Sequence, residues 1–287
     1  MNEYIQSVLL GIVEGLTEFL PVSSTAHLRI TEALMKIPLD DAYWKMYTIV
    51  IQLGAILALL LLFLSRIVDF ARTFPKGESG DRTWLNHPIF LTLIAFACTS
   101  VPALLLHKWS EKNLGSLNVI AIALLAGGIL MWIIDSWSQR HESNTNHVEE
   151  MSIGQAIWIG LCQTLSAVFP GTSRSMSTIA AGQMVGMDRP AALEFSFLLS
   201  IPTMIAATVW DLKKEVFPSH GVAAHVVMTG DNWIVLIIGF VVAFIVALGV
   251  VEWFLFWVRK HGFTIFAVYR IILGIALLIW GSKFIGS

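Results

Sequence analysis

The sequence predicts an all-α polytopic membrane protein, with six spanning helices and two re-entrant helical hairpins in an inverted-topology repeat. Three observations lead there. Of the 287 residues, 56% are hydrophobic and 13% charged, against about 25% charged in a soluble domain. Six apolar stretches reach the roughly 20 residues that a bilayer demands. Two further apolar segments are each broken by a proline followed by hydroxyl residues, and each precedes three of the six stretches.

The spans are expected at about 45–64, 88–106, 117–134, 191–210, 233–256 and 264–281. The hairpins are residues 3–36 and 152–187, which run into Pro21 and Pro170. Proline removes a donor and clashes with the preceding turn, so neither segment continues as one helix. Ser, Thr and Gly directly after it are helix-start signals. Each segment therefore reads as two half-helices meeting at a polar tip. Irregular backbone at membrane depth survives only when buried in protein or lining a watery cavity, so both tips should face a site. "GIVEGLTEFLPVSST" from Gly11 and "GLCQTLSAVFPGTSR" from Gly160 align at a constant offset of 149. Three crossings invert the chain, so the second hairpin should enter from the opposite face and meet the first near the midplane.

This divides the chain into a first repeat (1–134), a polar connecting loop (135–151) and a second repeat (152–287). The polar stretches 65–84 and 135–152 read as solvated linkers. On this topology seven lysines lie on the side of the N-terminus and eight basic residues on the other. That near balance leans only slightly towards termini facing outward. With Glu3 present and no basic residue before Arg29, the first apolar run reads as retained, not as a cleaved signal peptide. A net charge of -2 leaves no polybasic surface for nucleic acid. Cys98 and Cys162 sit in apolar runs and suit small buried hydrophobes.

The chemistry concentrates at the tips. Glu14 and Glu18 are four apart and share a helix face. Two buried carboxylates repel one another, so they require a proton or a cation between them. Ionisable residues inside a membrane are functional candidates. Ser23 and Ser24 should cap the second half-helix, whose free N–H groups and positive dipole end form an anion site. His27, three residues past Ser24, can reach its hydroxyl as base to nucleophile. In the second hairpin Thr172 or Ser173 caps another half-helix with Arg174 in its first turn, and a guanidinium beside free N–H groups is a phosphate clamp. Gln52, in the first span, could reach the site or bond a neighbouring helix. Glu194 and Arg270 read as a structural ion pair. Two acids, a hydroxyl with a histidine, an arginine and two helix N-termini are what phosphoryl transfer requires. At membrane depth the substrate should be a lipid phosphate or diphosphate. A transporter or flippase for an anionic lipid uses similar broken helices, but binding alone needs neither the hydroxyl nor the acid pair.

"EGLTEFLPVSST" with His27 two residues on, and "PGTSRS" from Pro170, closely resemble the undecaprenyl-diphosphate phosphatases, the bacitracin-resistance family. "VIQLGAILA" (50–58), "EFSFLLSIP" (194–202) and "YRIIL" (269–273) extend the resemblance over nearly the whole chain. It implies hydrolysis of undecaprenyl diphosphate to the monophosphate, recycling the lipid carrier of wall synthesis in the bacterial inner membrane. Glu14, Glu18, Ser24, His27 and Arg174 would be catalytic, with Glu14 and Glu18 holding a divalent metal, Mg²⁺ or Ca²⁺. Substrate contacts are expected from Ser23, Thr25, Gln52, Thr172, Ser173 and Ser175. The partners implied are the bilayer and a polyprenyl diphosphate lipid, and a homodimer is compatible with both. The chain departs from the family pattern at Ala26, where glycine is usual, and at Met176, where "SRSG" is usual.

Overall fold

The computed structural model describes residues 2–38, 41–77, 83–113, 116–216 and 228–285. Among them it is α-helical throughout apart from short 3₁₀ turns and one isolated bridge. Six helices are long and apolar enough to cross a membrane, over Ala42–Leu62, Pro88–Leu106, Leu117–Ser138, Arg189–Lys213, Gly230–His261 and Thr264–Gly281. These agree with the six expected spans.

The two proline-broken segments each fold as a helix pair. The first is α1 (Glu3–Thr17) and α2 (Ser24–Leu34), followed by α3 (Ala42–Leu62), the short α4 (Leu64–Thr73), α5 (Pro88–Asn113) and α6 (Leu117–Ser138). The second is α7 (Ile153–Val168) and α8 (Arg174–Met184), followed by α9 (Arg189–Val216), α10 (Gly230–His261) and α11 (Thr264–Ile285). The halves interlock: α1 packs on α10, α7 on α5, and α6 on α11.

In lipid, helices gain little from leaving their apolar surroundings, so association depends on close packing over small residues. Gly11 and Gly160, 149 residues apart, serve that purpose. A Cβ on Gly11 would come 2.7 Å from the Gly239 carbonyl oxygen of α10, and one on Gly160 would come 2.8 Å from Ala95 Cα of α5. Polar bonds fix the register: the Ser7 hydroxyl donates to the Val235 carbonyl at 2.6 Å, and the Tyr47 hydroxyl donates to Ser7.

The stretch 135–152 is only in part the solvated linker expected from its polarity: much of it is exposed, but it begins inside a helix and is anchored. Residues 135–138 are the last turn of α6, and Asp135 is fully buried. Its carboxylate accepts from Gln183, from Arg189 at 2.8 and 2.9 Å, and from the Phe263 amide and Thr264 hydroxyl. One acid thus ties α6, α8, α9 and the start of α11 together. The following loop is strapped down as well, with bonds from Asn144 to Gly186 and from Asp188 to Thr145. A polar run marks solvent only when nothing nearby can satisfy it.

Candidate active site at the two hairpin tips

The helix pairs break over Glu18–Ser23 and Phe169–Ser173, and both second helices are capped alike. Ser23 and Ser173 adopt φ of 75° and 70°, a left-handed conformation that costs a non-glycine residue on the order of 1 kcal/mol or more. Each Oγ accepts an amide three residues on, from Ala26 and Met176. Each carbonyl accepts a side chain four residues on, His27 Nδ1 at 2.7 Å and Ser177 Oγ at 3.0 Å. The caps are therefore Ser23 and Ser173, not Ser24 or Thr172. They lie 150 residues apart, one more than the offset that aligns the prolines. Gly171 makes room for the second tip: its φ is +94°, and a Cβ there would lie 2.8 Å from the Ile120 carbonyl.

The tips meet through Glu18. Its Oε1 accepts Arg174 Nη2 at 3.1 Å, and its Oε2 accepts the Ser24 hydroxyl in a short hydrogen bond. Arg174 also reaches Met204 Sδ at 3.1 Å and stands over the Phe19 ring. The Ser175 hydroxyl donates across the join to the Phe19 carbonyl at 2.7 Å. Arg270, fully buried, donates to carbonyls of both tips, Pro21 on one and Gly171 and Thr172 on the other, and to Ala123 of α6. Arg270 is thus not paired with Glu194, whose carboxylate binds Arg66 at 2.7 Å instead. Ala26 and Met176, the two departures from the family pattern, are both buried at α6; Ala26 packs against Ile120 and Leu124.

His27 does not face Ser24. A carbonyl oxygen only accepts, so Nδ1 carries the proton given to Ser23, and Nε2 meets the Tyr269 hydroxyl at 2.6 Å. The acceptor placed against Ser24 is Glu18. Tyr269 and Arg270 belong to the "YRIIL" stretch, yet nothing in their spacing from residues 18–27 points to the tips. Gln52 is half-buried on α3 and makes no hydrogen bond to the other site residues. Thr25 is likewise half-buried.

Several buried polar atoms have no protein partner: both Glu14 carboxylate oxygens, and Nε and Nη1 of Arg174. Glu14 interacts electrostatically with Glu18 and Arg174, so these atoms belong to one site. A cation would satisfy the first pair and an anion the second. Hard oxygen donors suit Mg²⁺ or Ca²⁺. Among the described residues no cluster of three His, Cys, Asp or Glu could hold a metal. Water or phosphate oxygens would complete the shell, as is usual for Mg²⁺.

The family model of the bacitracin resistance protein BacA matches residues 7–276. An undecaprenyl-diphosphatase of Koribacter versatilis is 60% identical over 99% of this chain and 100% of its own length. Relatives of the same printed name from Bradyrhizobium sp. and Caldanaerobacter subterraneus are 41% and 39% identical, each over at least 96% of both chains. The chain belongs to the bacitracin resistance protein BacA family.

Proposed function

We propose that this chain is a membrane-embedded undecaprenyl-diphosphatase, hydrolysing undecaprenyl diphosphate to undecaprenyl phosphate and inorganic phosphate. The full-length likeness to proteins of that name supports the activity. One observation carries the chemistry: Glu18 bonds both Ser24 and Arg174, joining the two hairpins, while Arg174 keeps two buried donors open.

Arg174 would grip the terminal phosphate with those donors, aided by the N-termini of α2 and α8. Ser24 Oγ attacks the terminal phosphorus and passes its proton to Glu18. The bond from that phosphorus to the bridging oxygen breaks, and undecaprenyl phosphate leaves as an anion that needs no proton. Water then attacks the phosphoseryl phosphorus, the bond from phosphorus to Ser24 Oγ breaks as Glu18 returns its proton to that oxygen, and inorganic phosphate departs with the water's oxygen and protons. Glu14 and Glu18 would hold a divalent cation, which neutralises phosphate charge when bound. His27 and Arg270 fix the tip backbones on which these groups stand.

The hairpins are proposed to be re-entrant from opposite faces, in the bacterial cytoplasmic membrane, with the site opening to the outer face. The near balance of basic residues on the two sides leans that way. The activity is tested by phosphate release from undecaprenyl diphosphate by purified protein, and the covalent step by mass-spectrometric search for phosphoserine at Ser24 in quenched reactions. A protein that binds the lipid but releases no phosphate under any divalent cation would overturn the reading.

A further inference from the structure

The helix face that carries Ser24 and His27 continues, at helical spacing, through Ile30 to Ala33 and Leu34. On α11 the stripe that begins at Tyr269 continues through Leu273 to Ala276, Leu277 and Trp280. The two stripes are fastened at one end, where the His27 and Tyr269 rings stack at 5.6 Å and share a hydrogen bond. Beyond that clasp α2 and α11 part, leaving a groove of about 410 Å³ lined by Ile30, Ala33, Leu34, Ala276, Leu277 and Trp280. Its lining carries no charged side chain, and its size falls in the range of about 300–1,000 Å³ typical of small-ligand sites.

We propose that this groove seats the isoprene units of the substrate nearest the diphosphate, a binding site for the polyprenyl chain. The proposal rests on the diphosphatase reading, because it needs a head bound at the tips with an apolar chain attached. Ser24 and Ile30 are six residues apart on one helix, a rise of roughly 9 Å, so the groove opens about one to two isoprene lengths from the reacting group. Arg270, Phe19 and Met176 beside the tips are buried. The α2–α11 side is different: Leu34 and Trp280 on the groove's rim are 65% and 50% exposed. A substrate whose head sits at the N-terminus of α2 meets this groove by following the helix that binds its phosphate.

Lipid acyl chains are as apolar as the groove, so transfer into it yields little affinity. The groove would act by shape, admitting a methyl-branched chain and orienting the diphosphate for in-line attack. Its effect should fall on selectivity among diphosphates.

The test compares undecaprenyl diphosphate with dimethylallyl diphosphate, whose single isoprene unit is too short to reach Ile30. Ala33→Trp and Ala276→Trp, which fill the groove, are made with thermal stability recorded for each. The ratio of kcat/KM for the long over the short substrate should fall by at least about tenfold. An unchanged ratio in folded variants overturns the proposal. If either variant fails to fold, a direct measurement decides on the wild-type chain: an undecaprenyl diphosphate bearing a diazirine on its second isoprene unit should label 30–34 and 276–280. Labelling elsewhere, or labelling removed as readily by excess phospholipid as by substrate, overturns the proposal. A wild-type protein that releases no phosphate from either substrate yet is labelled in the groove contradicts the diphosphatase reading and leaves the chain site standing.

Discussion

The two hairpins are built alike and employed differently. Both cap an eleven-residue second helix with a serine at positive φ, and in both a side chain four residues on grips the cap's carbonyl. The difference lies in what is left open. Gln163 occupies in α7 the place that Glu14 holds in α1, and its amide nitrogen donates to Thr99 and Thr203, both at 3.1 Å. Both Glu14 oxygens are buried beside Glu18 with no donor from a neighbouring helix. Hairpin two ties its amide nitrogen to neighbouring helices, leaving Gln163 Oε1 open there, and offers Arg174; hairpin one offers acids. Two helix pairs that both satisfied their polar groups internally would be a stable scaffold with nothing to bind.

The largest break in that contrast should come from Glu18→Gln. It keeps the shape but removes the base that takes the Ser24 proton and the charge opposite Arg174, and turnover should fall on the order of 10³-fold. If Ser24 and Glu18 act as one unit, Ser24→Ala with Glu18→Gln should lose little more than the worse single variant in a phosphate-release cycle. Multiplying losses would move the attack from Ser24 to water. Glu14→Gln makes hairpin one resemble hairpin two, so the divalent-cation concentration for half-maximal rate should rise about 10- to 100-fold. The wild type should stop turning over in excess chelator, and full activity there would remove the metal from the scheme. Arg174→Lys keeps the charge but loses the planar fork; at least about tenfold of the rate, ~1.4 kcal/mol, should go. His27→Ala should be mildest in rate, a few-fold, while the loss of two hydrogen bonds costs roughly 2 kcal/mol of stability. A collapse matching that of Ser24→Ala would return the role of base to His27.

The fold was legible because its cause is local: a span is a run of apolar residues, and a broken helix is a proline with hydroxyls after it. The convergence of Glu18 with Arg174 was legible too, since both flank breaks that must face a site. Local spacing misled at Ser24 and His27, where three residues of helix suggested a bond. The imidazole instead serves the cap of its own helix and a tyrosine 242 positions away. Asp135 was hidden in a polar run, and Arg270 in an apolar one. The partners of both come from distant elements, which no periodicity encodes.

Arg270 has a mechanical consequence. Carriers built from broken helices work by rocking one half of the molecule against the other. In this chain one cation on the last helix holds carbonyls from both tips and from α6, at 2.9 to 3.2 Å. Any rocking that separated the tips would strand a buried guanidinium, at a cost of several kcal/mol. Arg270 thus acts as a rivet through the two tips and α6, and opposes their separation.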